Sequence, residues 1–393
     1  MDRSAGNGAR WDDGVADAAA WPRLGAFIAP LPSNPFEAVL IAHRLVILFG
    51  TLVLCGLAGL TATASPALPA VDRFDLDLPS RILDDPAVAR GLDELTREPC
   101  DKDSIRDFGR ALEKAGRRRD AARSLEIFSD TCNGHPPSLR SAVNVLLVLS
   151  DYAKAEAVAT KLIALEPYND NGYFLRGLAR HEKRDHALAI DDFVTALELF
   201  GNKEKISSVT YLKLSKSYEQ LGRFCDAVVP IESWVALDPL RNDTSQTQAI
   251  VATLTERGQC ARPKGTEDVF PLTRKGNVLL VQASINGQRG TFVFDTGATY
   301  VSLTKPFAQK AGVEIEADSL VHLNTANGPA TARRGRARLV ALKSLSAENV
   351  PLIVQTEGGK GFGPGVDGLL GMSLLARFHI TMDGKSVRLR RKG

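Results

Sequence analysis

Four alanines in the middle of this chain stand at regular distances. Ala121, Ala155, Ala189 and Ala227 are separated by 34, 34 and 38 residues. A fixed period of that length means that one supersecondary unit is copied, and a single copy cannot bury its own apolar face. The units must therefore stack. Other positions keep step. Gly109, Val143, Gly177 and Ser215 recur where the two helices of a unit come closest. Gly116, Ser150, Arg184 and Gly222 recur at the turn between them. Leu125, Ala159, Phe193 and Ile231 recur on the second helix. Two units close on an acidic residue and proline, Glu166-Pro167 and Asp238-Pro239. The four extra residues in the last spacing fall in Gly201–Ser208, a polar loop between units.

This pattern resembles the tetratricopeptide repeat. The last unit matches most fully, through Tyr211, Leu214, Tyr218, Gly222, Phe224, Ala227, Trp234 and Pro239. The resemblance covers about Asp103–Thr255 and implies a helical domain over 103–258. Small residues let paired helices approach, and aromatics fill the gaps between units. A concave groove for a peptide or partner protein is implied; a plain helical spacer is the alternative. Before the repeats, residues 65–102 are expected to form a linker rich in Pro and Ala, with a short helix near Ala87–Leu95. After them, Pro263, Gly265 and Pro271 mark a linker over 259–272.

Beyond residue 272 the helical period gives way to short apolar runs between turns. Asn277–Ile285 alternates and ends at Asn286-Gly287, a strong hairpin signal. Gly290–Phe294 returns as its partner strand and runs into Asp295-Thr296-Gly297-Ala298. A short helix is expected at Lys305–Ala311. Val321–Leu323 and Thr331–Val340 form a second hairpin around Asn324-Thr325-Ala326-Asn327-Gly328-Pro329. Val350–Val354 is a further strand. A glycine-rich loop, Gly358–Gly368, then leads to Leu369-Leu370-Gly371 and a helical turn at Met372–Phe378. His379–Met382 and Val387–Leu389 close the domain.

The order of strand, Asp-Thr-Gly-Ala, glycine-tipped hairpin and apolar-apolar-Gly resembles the retropepsin family of aspartic proteases over Asn277–Leu389. Viral members carry an arginine after the apolar-apolar-Gly, where this chain has Met372-Ser373, so the likeness is to the bacterial branch. The expected architecture is an all-α tetratricopeptide-repeat solenoid followed by an all-β retropepsin-like domain over 273–393. The resemblance implies Asp295 as catalytic carboxylate, with Thr296, Gly297 and Ala298 supporting its loop. It implies a flap at Asn324, Thr325, Ala326, Asn327 and Gly328. Leu369, Leu370 and Gly371 would lie beneath the site. In the family the chain ends interleave between subunits, with Val387–Leu389 as the candidate strand here.

The chemistry needs two carboxylates too close for both to ionise, so that one polarises a water and the other donates a proton to the scissile carbonyl. Asp-Thr-Gly occurs once in this chain. One chain thus supplies one carboxylate, and a two-fold homodimer must supply the pair. Protein or peptide is the expected substrate; no cofactor and no metal are called for. The competing reading is a non-catalytic repeat scaffold whose β domain only dimerises.

Leu45–Leu60 is an almost unbroken apolar run preceded by Arg44 and followed by Ala62-Thr63-Ala64. That is the order of a secretory signal, and the run is shorter than the ~20 residues that span a bilayer comfortably. Residues 1–64 therefore read as an extension plus either a cleaved signal or an uncleaved membrane anchor, and the protein as exported to the periplasm. Apart from Cys55, four cysteines remain: Cys100, Cys132, Cys225 and Cys260. An even number suits an oxidising compartment. Three pairings are open, and proximity favours Cys100–Cys132 with Cys225–Cys260. No Cys-x-x-Cys is present, and the six histidines form no zinc pattern. A net charge of +3 is too small to point to nucleic acid. The basic run Arg333, Arg334, Arg336, Arg338, Arg388, Arg390, Arg391 and Lys392 reads as solvated strand faces and tail.

Overall fold

A computed structural model describes residues 69–201, 206–271, 278–325, 328–358, 361–383 and 385–392. They fall within one unit, Ser65–Gly393. The apolar run at Leu45–Leu60 lies outside the described residues. Among those described, no helix is long and apolar enough to cross a membrane.

The first half is a stack of antiparallel helices. Helix α1 (Pro86–Arg97) precedes four pairs. These are α2 (Lys102–Lys114) with α3 (Arg118–Thr131), and α4 (Pro136–Val148) with α5 (Tyr152–Leu165). The third pair is α6 (Asp170–Glu182) with α7 (His186–Leu199), and the fourth is α8 (Ser208–Gln220) with α9 (Phe224–Leu237). A last helix, α10 (Ser245–Gly258), packs on α9. Each helix packs mainly on its sequence neighbours, as in a one-dimensional stack. Ala121, Ala155, Ala189 and Ala227 are all fully buried. At Gly177 an added Cβ would lie 2.9 Å from the Phe193 ring, so only glycine allows α6 and α7 to close. The four aligned turn residues, Gly116, Ser150, Arg184 and Gly222, all adopt φ between 58° and 78°. Two units therefore accept the left-handed conformation on a residue with a Cβ.

The segment expected as an N-terminal linker belongs to the stack. Short helices at Ala70–Arg73 and Ser80–Leu83 carry chain whose Phe74, Leu76 and Leu78 are buried in the same core as Val88 and Phe108. The Pro and Ala content gave no helical period there, yet alternate apolar residues cover the first unit.

Both disulfides close the ends of the stack. Cys100 bonds Cys132 across the first pair, and Cys225, at the start of α9, bonds Cys260, just past α10. Terminal units have a neighbour on one side only, so they fray first. Each bridge closes a loop of just over thirty residues. Paired Cys→Ser replacement of either bridge is expected to cost about 2–4 kcal/mol. A thermal melt should show it, with hydrogen exchange locating the loss in the terminal unit concerned.

The second half is mainly β. Strand β1 (Glu267–Pro271) lies inside the stretch read as a second linker, which is a correction. Pro271 ends the strand, as proline is tolerated at a sheet edge. Strands β2 (Leu280–Ile285), β3 (Gln288–Phe294), β4 (Val301–Leu303) and β5 (Glu314–Ile315) follow. Then come β6 (Val321–Thr325), β7 (Gly328–Ala341), β8 (Ser346–Gly358), β9 (Gly368–Leu370), β10 (Phe378–Met382) and β11 (Ser386–Arg391). The main sheet runs β2-β3-β9-β4-β8-β7-β5, with β6 on β7, and β2 also pairs β7 so that the sheet curls back on itself. Helices α11 (Lys305–Lys310) and α12 (Met372–Leu375) are the short helices expected there. A separate sheet runs β1-β11-β10. Its middle strand contains Val387–Leu389, bonded on both edges within one chain. An interleaved sheet between subunits would have to grow from β1 or β10, not from the strand expected.

The two halves share a core. Ile190, Phe193, Val194 and Leu197 of α7, with Tyr211 and Tyr218 of α8, pack against Tyr300, Val321, Leu323 and Ile353 of the β half. Backbone N–H groups of Leu320 and His322 donate to Asp191 Oδ2 (3.3 Å) and Thr195 Oγ1 (3.2 Å) of α7. Arg334 of β7 donates to Asp191 at 2.5 Å and reaches Glu316 at 2.7 Å. Arg223 bridges Glu316 and Asp226, and Arg336 also binds Asp226. Arg334 is only 6 % exposed. The expectation that these arginines sit on solvated strand faces is therefore wrong for Arg334 and Arg336, whose partners Asp191 and Asp226 come from the repeats.

His181 on α6 is half-buried, and its Nδ1 lies 2.9 Å from Ser217 Oγ. Burial, and then Lys213, push it down to about 4 from 6.5. The other described histidines, His135, His186, His322 and His379, move the same way, each chiefly through burial. The unfolded chain therefore takes up protons first. From His181 alone, stability is full above about pH 6.5 and declines towards about pH 4. Melting temperatures measured across that window should fall with acid, and His181→Gln should flatten the slope.

Candidate active site

Asp295 follows directly on β3. The apolar alternation of that strand buries Phe292 and Phe294 on one side, and the strand ends at Phe294. Its carboxylate Oδ1 accepts the Gly297 N–H at 2.8 Å, closing a tight turn. Its own N–H donates to the Leu370 carbonyl at 3.1 Å. Strand β9 thus lies under the loop. It runs parallel to β3, with Val293 opposite Leu369 and Phe294 opposite Leu370, and antiparallel to β4. This insertion demands glycine at both ends. A Cβ on Gly368 would sit 2.2 Å from the Ser302 carbonyl oxygen, and one on Gly371 2.2 Å from that of Tyr300. Met372 and Ser373 then donate N–H groups to the Ala298 and Thr299 carbonyls, each at 2.9 Å. Ser373 Oγ accepts from Val301 N and donates to Pro351 O. The Asp295 loop is held by main-chain bonds on both flanks.

Asp295 opens into a cavity of about 510 Å³. Gly297, Ala298, Asn324, Thr325 and Leu369 line it as well. The sequence had scattered these over three segments, and the fold brings them together. Thr296 and Gly297 are exposed on the surface of the single chain. Asn324 pairs with Pro329 and Thr325 with Gly328, so β6 and β7 run up to the hairpin tip; Gly328 there has φ 103°. Ala326 and Asn327 lie outside the described residues.

Three parts of the cavity carried no sequence signal. Tyr300 is buried, and burial followed by the Tyr218 phenol raises its hydroxyl well above the usual tyrosine range. Ser302 lines the cavity with its Oγ buried and, among the described residues, without a hydrogen-bond partner. Glu198, Leu199, Phe200 and Gly201, from the end of α7 and just beyond, form a wall contributed by the repeats. Among the described residues no cluster of His, Cys, Asp and Glu could hold a metal ion.

Residues 281–374 match the family described as aspartyl protease. That span runs from β2 through Asp295 to Leu374 of α12, so the β half carries an aspartyl protease domain. A retropepsin-like aspartic protease from Rickettsia conorii is 28 % identical over 33 % of this chain and 92 % of its own, with a TM-score of 0.25. On the helical side, MamA from Desulfovibrio magneticus RS-1 is 17 % identical over 45 % of this chain and 99 % of its own, with a TM-score of 0.34. No curated protein matches the chain.

Proposed function

We propose that this protein is an exported aspartic endopeptidase whose active site is completed by a second copy of the chain. The observation that carries it is the loop at Asp295: a single Asp-Thr-Gly, braced by β9, facing a cavity under a β-hairpin. Two such loops meeting at a two-fold axis would bring two carboxylates into contact. Both cannot ionise, so they would share one proton. The ionised partner would polarise a water; the protonated one would donate to the carbonyl oxygen of the peptide bond. No covalent intermediate is needed. The exposed Thr296 and Gly297 are the surface a partner would cover, and Gly297 would let the two backbones meet without a Cβ between them. The β6–β7 hairpin would close over the substrate and exclude water. The repeats would recruit substrate or a regulator. The two disulfides favour an oxidising compartment, in keeping with export. The test is digestion of an unfolded protein substrate by the purified full chain and by Asp295→Asn. Cleavage by both, or by neither while the repeats still bind protein, would sink the protease reading.

A further inference from the structure

We propose that a second cavity, between the last repeat and the tail of the β half, binds short peptides whose amino and carboxyl ends are both free. Among the described residues it shares none with the Asp295 cavity. It does not rest on the protease reading; that reading adds a source, because cleaved proteins leave such fragments. The cavity holds about 520 Å³. That lies within the ~300–1,000 Å³ of sites for drug-sized ligands, room for two or three residues. Helices α9 and α10 form one wall. Glu348 and Asn349 of β8, with Arg377 beyond α12, form another, and Lys392 stands after β11. The Cys225–Cys260 bridge is part of the lining, so the start of α9 is tied to the chain that leaves α10.

Two opposite charges line this space without touching. Glu232 of α9 is half-buried and, among the described residues, makes no hydrogen bond or ion pair. Arg377 is half-buried too and has no acidic group in contact. Its Nη1 and Nη2 donate to the Glu348 and Asn349 carbonyls at 2.7 and 3.1 Å. That fixes the guanidinium and leaves the rest of its five N–H donors unspent. Burial raises the Glu232 carboxyl above its ordinary range, opposed by Lys392 and then Arg377 through charge alone. Burial likewise lowers Arg377, opposed by Glu232. Each charge thus bears a desolvation cost that no direct partner offsets. A ligand carboxylate between Arg377 and Lys392, with an ammonium on Glu232, pairs all three. The other charges of the described lining leave that balance alone. Glu348 is tied to Lys264, and Arg262 and Glu256 are exposed and opposite in sign. Val228, Val229 and Val251 give an apolar surface for the peptide's side chains. A free amino acid has the same two ends but fills less of the volume.

The test is calorimetric titration of the full chain carrying Asp295→Asn, which keeps any ligand uncut, with the dipeptide Leu-Leu. Saturable binding is expected with a Kd at or below about 1 mM. Amidating the carboxyl end should weaken it about tenfold, and acetylating the amino end about fivefold. Free leucine should bind about tenfold more weakly than the dipeptide. These comparisons use one folded chain and so are free of folding effects. Two further variants place the site. Glu232→Gln should bring the free and acetylated dipeptides to equal affinity, and Lys392→Met should shrink the penalty for the amide. Binding is read without catalysis, so a failed protease reading and a failed site stay distinguishable. Absence of saturable binding at about ten times that concentration would overturn the inference. So would an affinity indifferent to both blocking groups, free leucine as tight as the dipeptide, or an acetyl penalty that survives Glu232→Gln.

Discussion

Replacing Asp295 by Asn should lower peptide-bond cleavage by a factor of about 10²–10⁴ or more, the range lost with a general acid–base group. The substitution keeps the shape, and the amide oxygen can still accept the Gly297 N–H that closes the turn. Stability should therefore change little, and unchanged melting would separate lost chemistry from lost fold. Mixing gives the sharper result. If each site takes one carboxylate from each of two chains, a dimer of one wild-type and one Asn chain has no working pair. Activity should then follow the square of the wild-type fraction, about one quarter at equal amounts once subunits have exchanged. Activity proportional to the wild-type fraction itself would mean that one chain suffices. Dilution is a companion measurement, because specific activity should fall once the dimer dissociates.

Arg334→Met should destabilise the chain by about 3–5 kcal/mol, the usual cost of leaving a buried charge without its partner. Asp191 is the group left behind. Burial already holds its carboxyl above the usual aspartate range, with Arg334 as the main opposing influence. Among the described ion pairs, Glu316 would keep the one to Arg223. The pair as such adds little, since desolvation offsets most of the attraction. Arg334→Met together with Asp191→Leu should hence recover most of the loss. Urea unfolding of the single and double variants gives the comparison. A loss below about 1 kcal/mol in the single variant, typical of exposed pairs, would show that water reaches Arg334.

The helical half was legible because its signal is periodic. A repeat announces itself four times, and the turn alignment even marked the residues that take positive φ, although Ser150 and Arg184 gave no chemical hint of it. The β half was legible through its punctuation: Asn286-Gly287 for the hairpin, Asp295-Thr296-Gly297 for the loop, Leu369-Leu370-Gly371 for the inserted strand. What could not be read was the relation between the halves. Arg334 and Arg336 look like any polar strand residue, and Asp191 and Asp226 like any polar helix residue. Their pairing spans more than a hundred positions, with no local pattern to mark it. Glu198 was silent for the same reason: it stands at the end of a repeat helix and borders a cavity built by another part of the chain. The linkers failed differently. Prolines suggested spacers, but Phe74 and the β1 strand are held by partners distant in sequence.

The seam of α7 against β6 bears on how such a chain can be inherited. A hydrolase domain joined to repeats by a free tether could be traded among proteins without loss. Here Tyr300, Val321, Leu323, Ala330, Ala332 and Ile353 have their apolar cover in α7 and α8. Cutting at residue 260 would strip one layer from the β half and bare that face beside the very hairpin proposed to close on substrate. The repeats are thus the missing outer layer of the β half, and any exchange of one part must carry the other with it.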